Sequence, residues 1–134
     1  MANVLSNLGV KRGLVVHGKD GLDEVSICDD SIICEIKNRM LNNYIFSPEK
    51  YGFAKCKPEQ LKGGNPAENA QIAQRILAGE KGPKRDIVIL NAALSIYLGK
   101  DGSTIDDCID IAKIIIDKGK AKELMEKFII ATNQ

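Results

Sequence analysis

One stretch of the sequence decides the fold class: Gly13-Leu14-Val15-Val16-His17-Gly18. Its apolar residues stand together between glycines, without the polar alternation of a half-exposed strand. Such a continuous run suits a strand that is buried on both faces, and strands of that kind belong to α/β layers. The sequence therefore predicts an α/β fold.

The segments on either side of this strand have patterns of their own. Residues 2–8 suit a short helical face, and Gly9 follows where a C-terminal cap is expected. Between residues 25 and 46, apolar side chains alternate as in a strand, notably Ile32, Cys34 and Ile36. Turn-forming pairs divide this region at Asp29-Asp30 and Asn42-Asn43. These patterns predict a short β-meander.

A loop with prolines and glycines is predicted at residues 47–64, and about four helices are predicted after it. The first helix begins at Asn65, with Pro66 at the first helical position and Glu68 at the third. This is the arrangement of a capping box, in which two side chains satisfy free amides at the helix start.

Three further helices follow from glycine, proline and capping signals. One covers residues 83–99, and the next begins after Ser103 or Thr104. Residues 121–129 repeat the apolar spacing of a last helix, and the tail after Ile130 is expected to fray.

The composition is that of one globular unit. The chain has 134 residues, of which 44% are hydrophobic and 28% charged, and its formal charge is +1. This charge provides no concentrated positive field, so no nucleic-acid partner is expected. The apolar runs fall short of the roughly 20 residues that cross a bilayer, so no membrane span is expected either. The first residues lack signal-peptide character, which predicts a cytoplasmic protein.

The residues that bind zinc or form disulfides are few and poorly spaced for either purpose. The chain has a single histidine, His17, and its four cysteines show no C-x-x-C spacing. The cysteines stand mostly in apolar stretches, as buried free thiols do. We therefore expect neither a zinc site nor a disulfide framework.

The residues suited to chemistry lie directly after the predicted strand. Asp20, Asp23 and Glu24 bring three carboxylates together between glycines, which suits a hard divalent cation such as Mg²⁺. Neighbours on an extended chain point to opposite faces, so Asp23 and Glu24 converge on one ion only if the backbone bends. From residue types alone, a solvated turn is the more frequent interpretation, by about three to one.

Segments in the same order resemble the anthranilate phosphoribosyltransferase family. Residues 15–26 are similar to its V-H-G-x-D-G-L-D-E-x-S segment, and residues 61–70 to its L-K-G-G-(D/N)-P-x-E-N-A segment. Residues 79–86 and 90–93 resemble its G-x-x-G-P-x-R-D and L-N-A-A segments. The similarity spans the whole chain but less than half of such an enzyme, and the family's G-T-G-G-D phosphate-binding loop has no counterpart.

The resemblance implies that residues 1–134 are a single partial domain, the C-terminal part of a mixed-sheet α/β domain. It implies a magnesium-dependent transferase of tryptophan biosynthesis, which moves phosphoribosyl from phosphoribosyl pyrophosphate to anthranilate. By the same resemblance, Asp23 and Glu24 are magnesium ligands, and no covalent nucleophile is needed. The chain alone is expected to be inactive, because the glycine loop that holds the donor is missing.

Other residues have a structural interpretation beside a functional one. His17 and Gly18, at the end of the strand, are candidate substrate contacts, although a lone histidine beside glycines is as often structural. Residues 62–65 could cradle phosphate at a helix start, but helix capping explains them and is favoured by about four to one. The pair Arg85-Asp86 is expected to anchor a buried helix.

Two other functions stay open at this point. One is a piece of a pyrimidine nucleoside phosphorylase, which shares the overall architecture. The other is a non-enzymatic interaction module, whose acidic residues bind a cation or a partner. If the chain is a piece of a longer enzyme, surface that faced the rest should be partly apolar, so we expect self-association through it.

Overall fold

The computed structural model describes residues 1–133. Its strands are β1 (Arg12–Gly18), β2 (Ser31–Lys37) and β3 (Met40–Phe46). Its helices are α1 (Ala2–Asn7), α2 (Pro66–Leu77), α3 (Pro83–Gly99), α4 (Ile105–Asp117) and α5 (Lys120–Thr132), and short 3₁₀ turns lie at Pro48–Tyr51 and Pro58–Gln60. The predicted α/β class, a short meander followed by about four helices, is confirmed.

The strands form one antiparallel sheet in the order β1-β2-β3. The register places Val16, Ile33 and Tyr44 side by side, so these residues share one face of the sheet. This face packs against the helices, and the buried Ile33 and Phe46 belong to the core there. The helices thus cover this face, whereas the other face is covered at one end only, where Ile36 is 0% exposed beside α1. The end of β1 lies at the rim of the sheet.

The prediction that β1 is buried on both faces is wrong. Leu14 and Val16 pack against the core, but residues 12–16 are only partly buried and His17 is exposed. The opposite face of the sheet leaves Ile32 44% and Ile45 45% exposed. The apolar run therefore marks a strand with apolar residues on both faces, but the second face is covered only at the end where Ile36 lies.

The hairpin between β2 and β3 turns at Asn38 and Arg39, and not at Asn42-Asn43 as predicted. Both turn residues have positive φ, 51° and 67°, which is the backbone of a two-residue type I′ turn. Asparagine tolerates this conformation because its short side chain bonds locally. Asn42 and Asn43 are ordinary residues of β3, and the irregular residues 25–30 lead into β2.

The core forms where α3 and α4 pack together under the sheet. α3 contributes Ile89, Leu90 and Ala93, each 0% exposed. α4 contributes Cys108 and Ala112, which are 0% and 3% exposed. These residues recur at spacings of three and four, which puts them on one side of each helix and explains why burial stabilises the helical form.

Local capping fixes where two helices begin. Asn65 Oδ1 accepts a hydrogen bond from Glu68 N at 3.0 Å, and Glu68 Oε2 accepts one from Asn65 N at 2.8 Å. This confirms the predicted capping box, so the segment needs no bound phosphate to account for it. Thr104, and not Ser103, caps α4, because its Oγ1 accepts from Asp107 N at 3.1 Å.

The buried guanidinium group of Arg85 joins α3 to α4. The side chain of Arg85 is 6% exposed, and its Nη2 lies 2.6 Å from Asp117 Oδ1 at the end of α4. Asp86, which the sequence suggested as the partner, lies 4.0 Å away. The anchoring role of Arg85 is confirmed, but its nearer partner is on the neighbouring helix.

The last helix extends farther than predicted and leaves apolar side chains uncovered. α5 continues to Thr132, whose Oγ1 donates to the carbonyl of Phe128 at 3.0 Å, so the residues just after Ile130 are helical. Leu124, Phe128 and Ile130 are 68%, 67% and 64% exposed.

Within residues 1–133, no helix combines the length and the apolar character that crossing a bilayer requires.

Two cysteines meet between loops, although all four are free thiols. The Sγ atoms of Cys28 and Cys56 are 2.8 Å apart. Burial, followed by the hydrogen bond with Cys56, raises the pKa of Cys28 to about 12. The raised pKa means that Cys28 stays a neutral thiol well above neutral pH.

We therefore expect Cys28 to resist alkylation near neutral pH. Its reactive thiolate should be about 10³-fold scarcer than that of a free cysteine, and labelling by iodoacetamide should accelerate about tenfold per pH unit. Mass mapping of labelled peptides measures the rates, with Cys34 on the open face of the sheet as the internal reference. Equal rates at the two cysteines would contradict this expectation.

Candidate functional site

The chain reverses directly after β1 in residues 18–24, which we call the acidic turn. Gly18 N donates to the carbonyl of Leu22 at 2.9 Å, and Gly21 N donates to the carbonyl of Gly18 at 2.9 Å. Gly21 has a φ of 95°, a conformation that favours glycine. The chain bends at Asp23 and Glu24, so they are not neighbours on an extended strand.

Gly18 is a glycine for a steric reason. It is buried, and a Cβ atom at this position would lie 3.2 Å from Leu22 Cβ and 3.3 Å from Ser26 Cβ. It would also lie 2.5 Å from Asp20 Oδ1. Even the Cβ atom of alanine would therefore require Asp20 to turn its side chain away and Leu22 and Ser26 to shift by a few tenths of an ångström.

Asp23 and Glu24 are the uncommitted carboxylates of the acidic turn. Both are exposed, and among residues 1–133 the ion pairs are formed by other side chains. Burial, with a smaller contribution from the charge of Asp23, raises the pKa of Glu24 above its ordinary value. The two carboxylates are close enough to repel each other, and a bound cation would relieve that repulsion.

Asp20, the third carboxylate of the predicted set, is directed elsewhere. Its Oδ2 accepts a hydrogen bond from Ser26 Oγ at 2.6 Å. The same Oγ accepts from the amides of Cys28 at 2.9 Å and Asp29 at 3.2 Å, so Asp20 helps to hold the loop before β2. In residues 1–133 no three His, Cys, Asp or Glu side chains are grouped so that they could hold a metal ion. The turn itself therefore offers two carboxylates.

A pocket of about 340 Å³ opens beside the acidic turn. Leu22 and Glu24 line it from the turn, and Lys84 and Ile87 line it from α3. The loop before α2 and α2 itself complete the wall with Leu61, Gly63, Asn69, Ile72, Ala73 and Ile76. The wall is mainly apolar and contains one carboxylate and one ammonium group.

The predicted substrate contacts lie outside this pocket lining. His17 is exposed and stands opposite Ile32 of β2, on the open face of the sheet, and Gly18 is buried under the turn. Lys84, which the sequence analysis did not single out, does line the pocket. Its Nζ donates to the carbonyl of Lys62, which ties the loop before α2 to the start of α3.

Asn91 of α3 is a second residue that the sequence analysis missed. Its Oδ1 accepts a hydrogen bond from Val25 N at 3.0 Å, and its Nδ2 donates to the carbonyl of Val25 at 2.9 Å. Val25 directly follows Glu24, so these bonds fix the end of the acidic turn. The signal in the sequence is an amide side chain beside the buried Leu90 on an apolar helix.

A family model described as glycosyl transferase family, a/b domain, matches residues 1–122. The chain belongs to this glycosyl transferase family. Among its relatives, the anthranilate phosphoribosyltransferase of Ruminiclostridium cellulolyticum is 51% identical over 133 residues, which cover 99% of this chain and 39% of that protein. The anthranilate phosphoribosyltransferase of Methanobrevibacter smithii is 47% identical over 133 residues, 99% of this chain and 40% of that protein. The chain thus spans about two-fifths of the length of these relatives.

Solved structures of glycosyl transferase relatives share the fold. The crystal structure of anthranilate phosphoribosyltransferase from Thermus thermophilus matches with a TM-score of 0.86 at 35% identity, covering 96% of this chain and 38% of that one. The enzyme from Saccharomyces cerevisiae in complex with PRPP and Mg matches with a TM-score of 0.82 at 25% identity, covering 91% and 35%. The family resemblance seen in the sequence segments is confirmed.

Proposed function

We propose that this chain is the C-terminal part of an anthranilate phosphoribosyltransferase, a single partial domain over residues 1–134. The parent enzyme would move phosphoribosyl from phosphoribosyl pyrophosphate to the amine of anthranilate, in tryptophan biosynthesis. The observation that carries the proposal is the acidic turn, where Asp23 and Glu24 stand together at a bend beside a pocket. The names of the relatives support these substrates and not a pyrimidine nucleoside, so we do not propose the phosphorylase.

The chemistry of Asp23 and Glu24 fits a magnesium ion. Their oxygens are hard ligands, and Mg²⁺ binds through one or two carboxylates with water and substrate phosphates. When bound, the ion supplies positive charge for the departing pyrophosphate. The role of this chain would be to hold both carboxylates at a fixed bend, where they bind the ion directly or through water.

The other residues of the proposal orient and enclose the ligand. Lys84 places an ammonium group in the same pocket as Glu24, which suits an anionic ligand. His17 and Gly18 stay proposed substrate contacts, and the steric role of Gly18 is independent of that proposal. The cytoplasm, where free thiols persist, is the proposed location.

We further propose that the chain does not catalyse the transfer by itself. Its sequence contains no G-T-G-G-D segment, the loop that the family uses to hold the phosphates of the donor. Without preorganised groups around the donor, the carboxylates of the acidic turn have no reacting bond to act on. The metal site is therefore best tested by binding.

A magnesium titration of the chain tests the proposed site. We expect the backbone amide NMR signals of Asp23 and Glu24 to shift with a dissociation constant on the order of 10⁻³ M, as for weak oxygen-ligand sites. Pyrophosphate should lower the Mg²⁺ concentration needed for saturation, because its oxygens add ligands that two carboxylates leave unfilled.

Asp110 provides a matched control for this titration. It is an exposed carboxylate on α4, with a side chain 73% exposed, and it does not line the pocket. The variants Asp23→Asn and Glu24→Gln should each remove most of the shifts, whereas Asp110→Asn should leave them unchanged. Absence of any response at Asp23 and Glu24, or an equal loss in Asp110→Asn, would overturn the metal site.

We also propose that the chain self-associates through the uncovered face of α5. Leu124 and Phe128, four residues apart on one side of α5, expose apolar surface there, which water disfavours. In sedimentation equilibrium the average mass should rise with concentration, and the variant Phe128→Glu should shift the chain toward monomer. A wild-type chain that stays monomeric over a wide concentration range would contradict self-association.

A further inference from the structure

The side chain of Asn91 bonds the backbone of Val25, the residue directly after the acidic turn, as a neighbouring strand would. Val25 is 0% exposed but lies outside the sheet, so no neighbouring strand pairs its backbone groups. The side chain of Asn91 accepts from Val25 N and donates to the carbonyl of Val25. Buried backbone groups without partners are costly, and an amide side chain offers a donor and an acceptor in one plane.

The side chain of Asn91 is itself held in one orientation. Its Nδ2 also donates to the carbonyl of Ile87 at 3.0 Å, one helical turn earlier on α3. Both Nδ2 hydrogens and Oδ1 are therefore engaged, and rotation of the amide would break all these bonds. Because α3 belongs to the core, Asn91 connects Val25 to a rigid element of the fold.

The acidic turn is thus attached at both ends. At its start, Gly18 N bonds the carbonyl of Leu22 at 2.9 Å. At its end, Asn91 bonds Val25. Asp23 and Glu24 lie between these two attachments, and their own side chains form no ion pair among the described residues. The placement of both residues in the turn is therefore set through the backbone.

We propose that Asn91 is a positioning residue, which holds Glu24 and Asp23 in the geometry that a divalent cation requires. This inference rests on the proposed metal site. Asn91 does not touch the cation, and its effect passes through Val25. Residues that orient metal ligands in this way change metal affinity by about 10- to 100-fold when they are replaced.

Three variants of the chain test this role. Asn91→Ala removes all three hydrogen bonds, and Asn91→Asp keeps the size and an acceptor for Val25 N but loses both donated bonds. Ser95→Ala is the matched control, because Ser95 Oγ donates at 3.1 Å to the carbonyl of Asn91, one turn along α3 and away from the acidic turn. NMR order parameters of the amides of Glu24 and Val25, and the Mg²⁺ dissociation constant, are measured in each variant.

In Asn91→Ala we expect the order parameters at Glu24 and Val25 to fall from about 0.85 to below about 0.6, with those of α3 unchanged. The Mg²⁺ dissociation constant should rise at least about 10-fold. Ser95→Ala should match the wild type in both measurements. If Asn91→Ala does not fold, Asn91→Asp gives the same comparison of order parameters, which should also fall at Glu24 and Val25. Its Mg²⁺ affinity is not compared, because the added negative charge attracts the cation by itself.

The outcomes separate this inference from the proposed function. A folded variant that melts at a lower temperature but keeps wild-type order parameters and Mg²⁺ affinity would show a merely structural role and overturn the inference. If the wild-type chain does not respond to Mg²⁺ at all, the metal site fails, and with it the purpose of the positioning. The order parameters would then still decide whether Asn91 holds the turn.

Discussion

Replacing Asp23 with asparagine and Glu24 with glutamine together should lower kcat/KM for anthranilate by at least about 10²-fold. The assay needs a completed enzyme, with this chain joined to the N-terminal part of a relative such as the Ruminiclostridium cellulolyticum enzyme, of which it covers 39%. Both substitutions keep the size of the side chain and remove its charge. With the proposed ligands gone, a metal ion would no longer stabilise the negative charge on the departing pyrophosphate, a contribution of several kcal/mol. The rate of pyrophosphate release should therefore fall.

The Mg²⁺ dependence of the same enzyme shows whether the loss comes through the metal. Each single substitution should raise the Mg²⁺ concentration that gives half the maximal rate more than it changes KM for anthranilate. Asp110→Asn should leave the rate within about twofold of the wild type, because an exposed charge outside the pocket has little influence there. A double variant with the activity of the unmodified enzyme would refute the assignment of Asp23 and Glu24.

Replacing Phe46 with alanine should lower the free energy of unfolding of the chain by about 3–5 kcal/mol. Phe46 is 1% exposed at the end of β3, and its ring stacks on that of Tyr51 with centroids 4.7 Å apart. Alanine would leave a cavity between the sheet and the loop that follows it, and would remove the aromatic contact. Urea denaturation followed by circular dichroism measures the difference.

The adjacent Ile45 is the control for this substitution. Its side chain points to the open face of the sheet and is 45% exposed, so Ile45→Ala should cost less than about 1.5 kcal/mol. Losses of equal size at the two positions would contradict the assignment of one covered and one open face. An unusually large loss at Ile45 that depends on chain concentration would place an interface between copies on the open face.

The helices could be predicted because their signals are local. Asn65 and Glu68 are three residues apart and bond each other, so the capping box is complete within one turn. The sheet was harder to predict. The apolar run Leu14 to Val16 shows that both faces of β1 are apolar, but periodicity cannot tell whether a second layer covers them. The hairpin at Asn38 and Arg39 escaped prediction because Asn42-Asn43 looked equally suitable for a turn.

The acidic turn could be located from the sequence because its glycines and carboxylates are adjacent. Which of its acids stay uncommitted could not be predicted, since Asp20 bonds Ser26 only after the loop folds back. The role of Asn91 could not be predicted for a different reason. It bonds Val25 across 66 positions of the chain, and such a pairing follows from the packing of α3 under the sheet and not from any spacing.

The close fit around Gly18 has a consequence for motion. A Cβ atom at this position would lie only 3.2 Å from Leu22 Cβ and 3.3 Å from Ser26 Cβ, so the start of the acidic turn packs closely against the end of β1. If the proposed ion binds at Asp23 and Glu24, a turn that this packing has already ordered would lose little conformational entropy on binding.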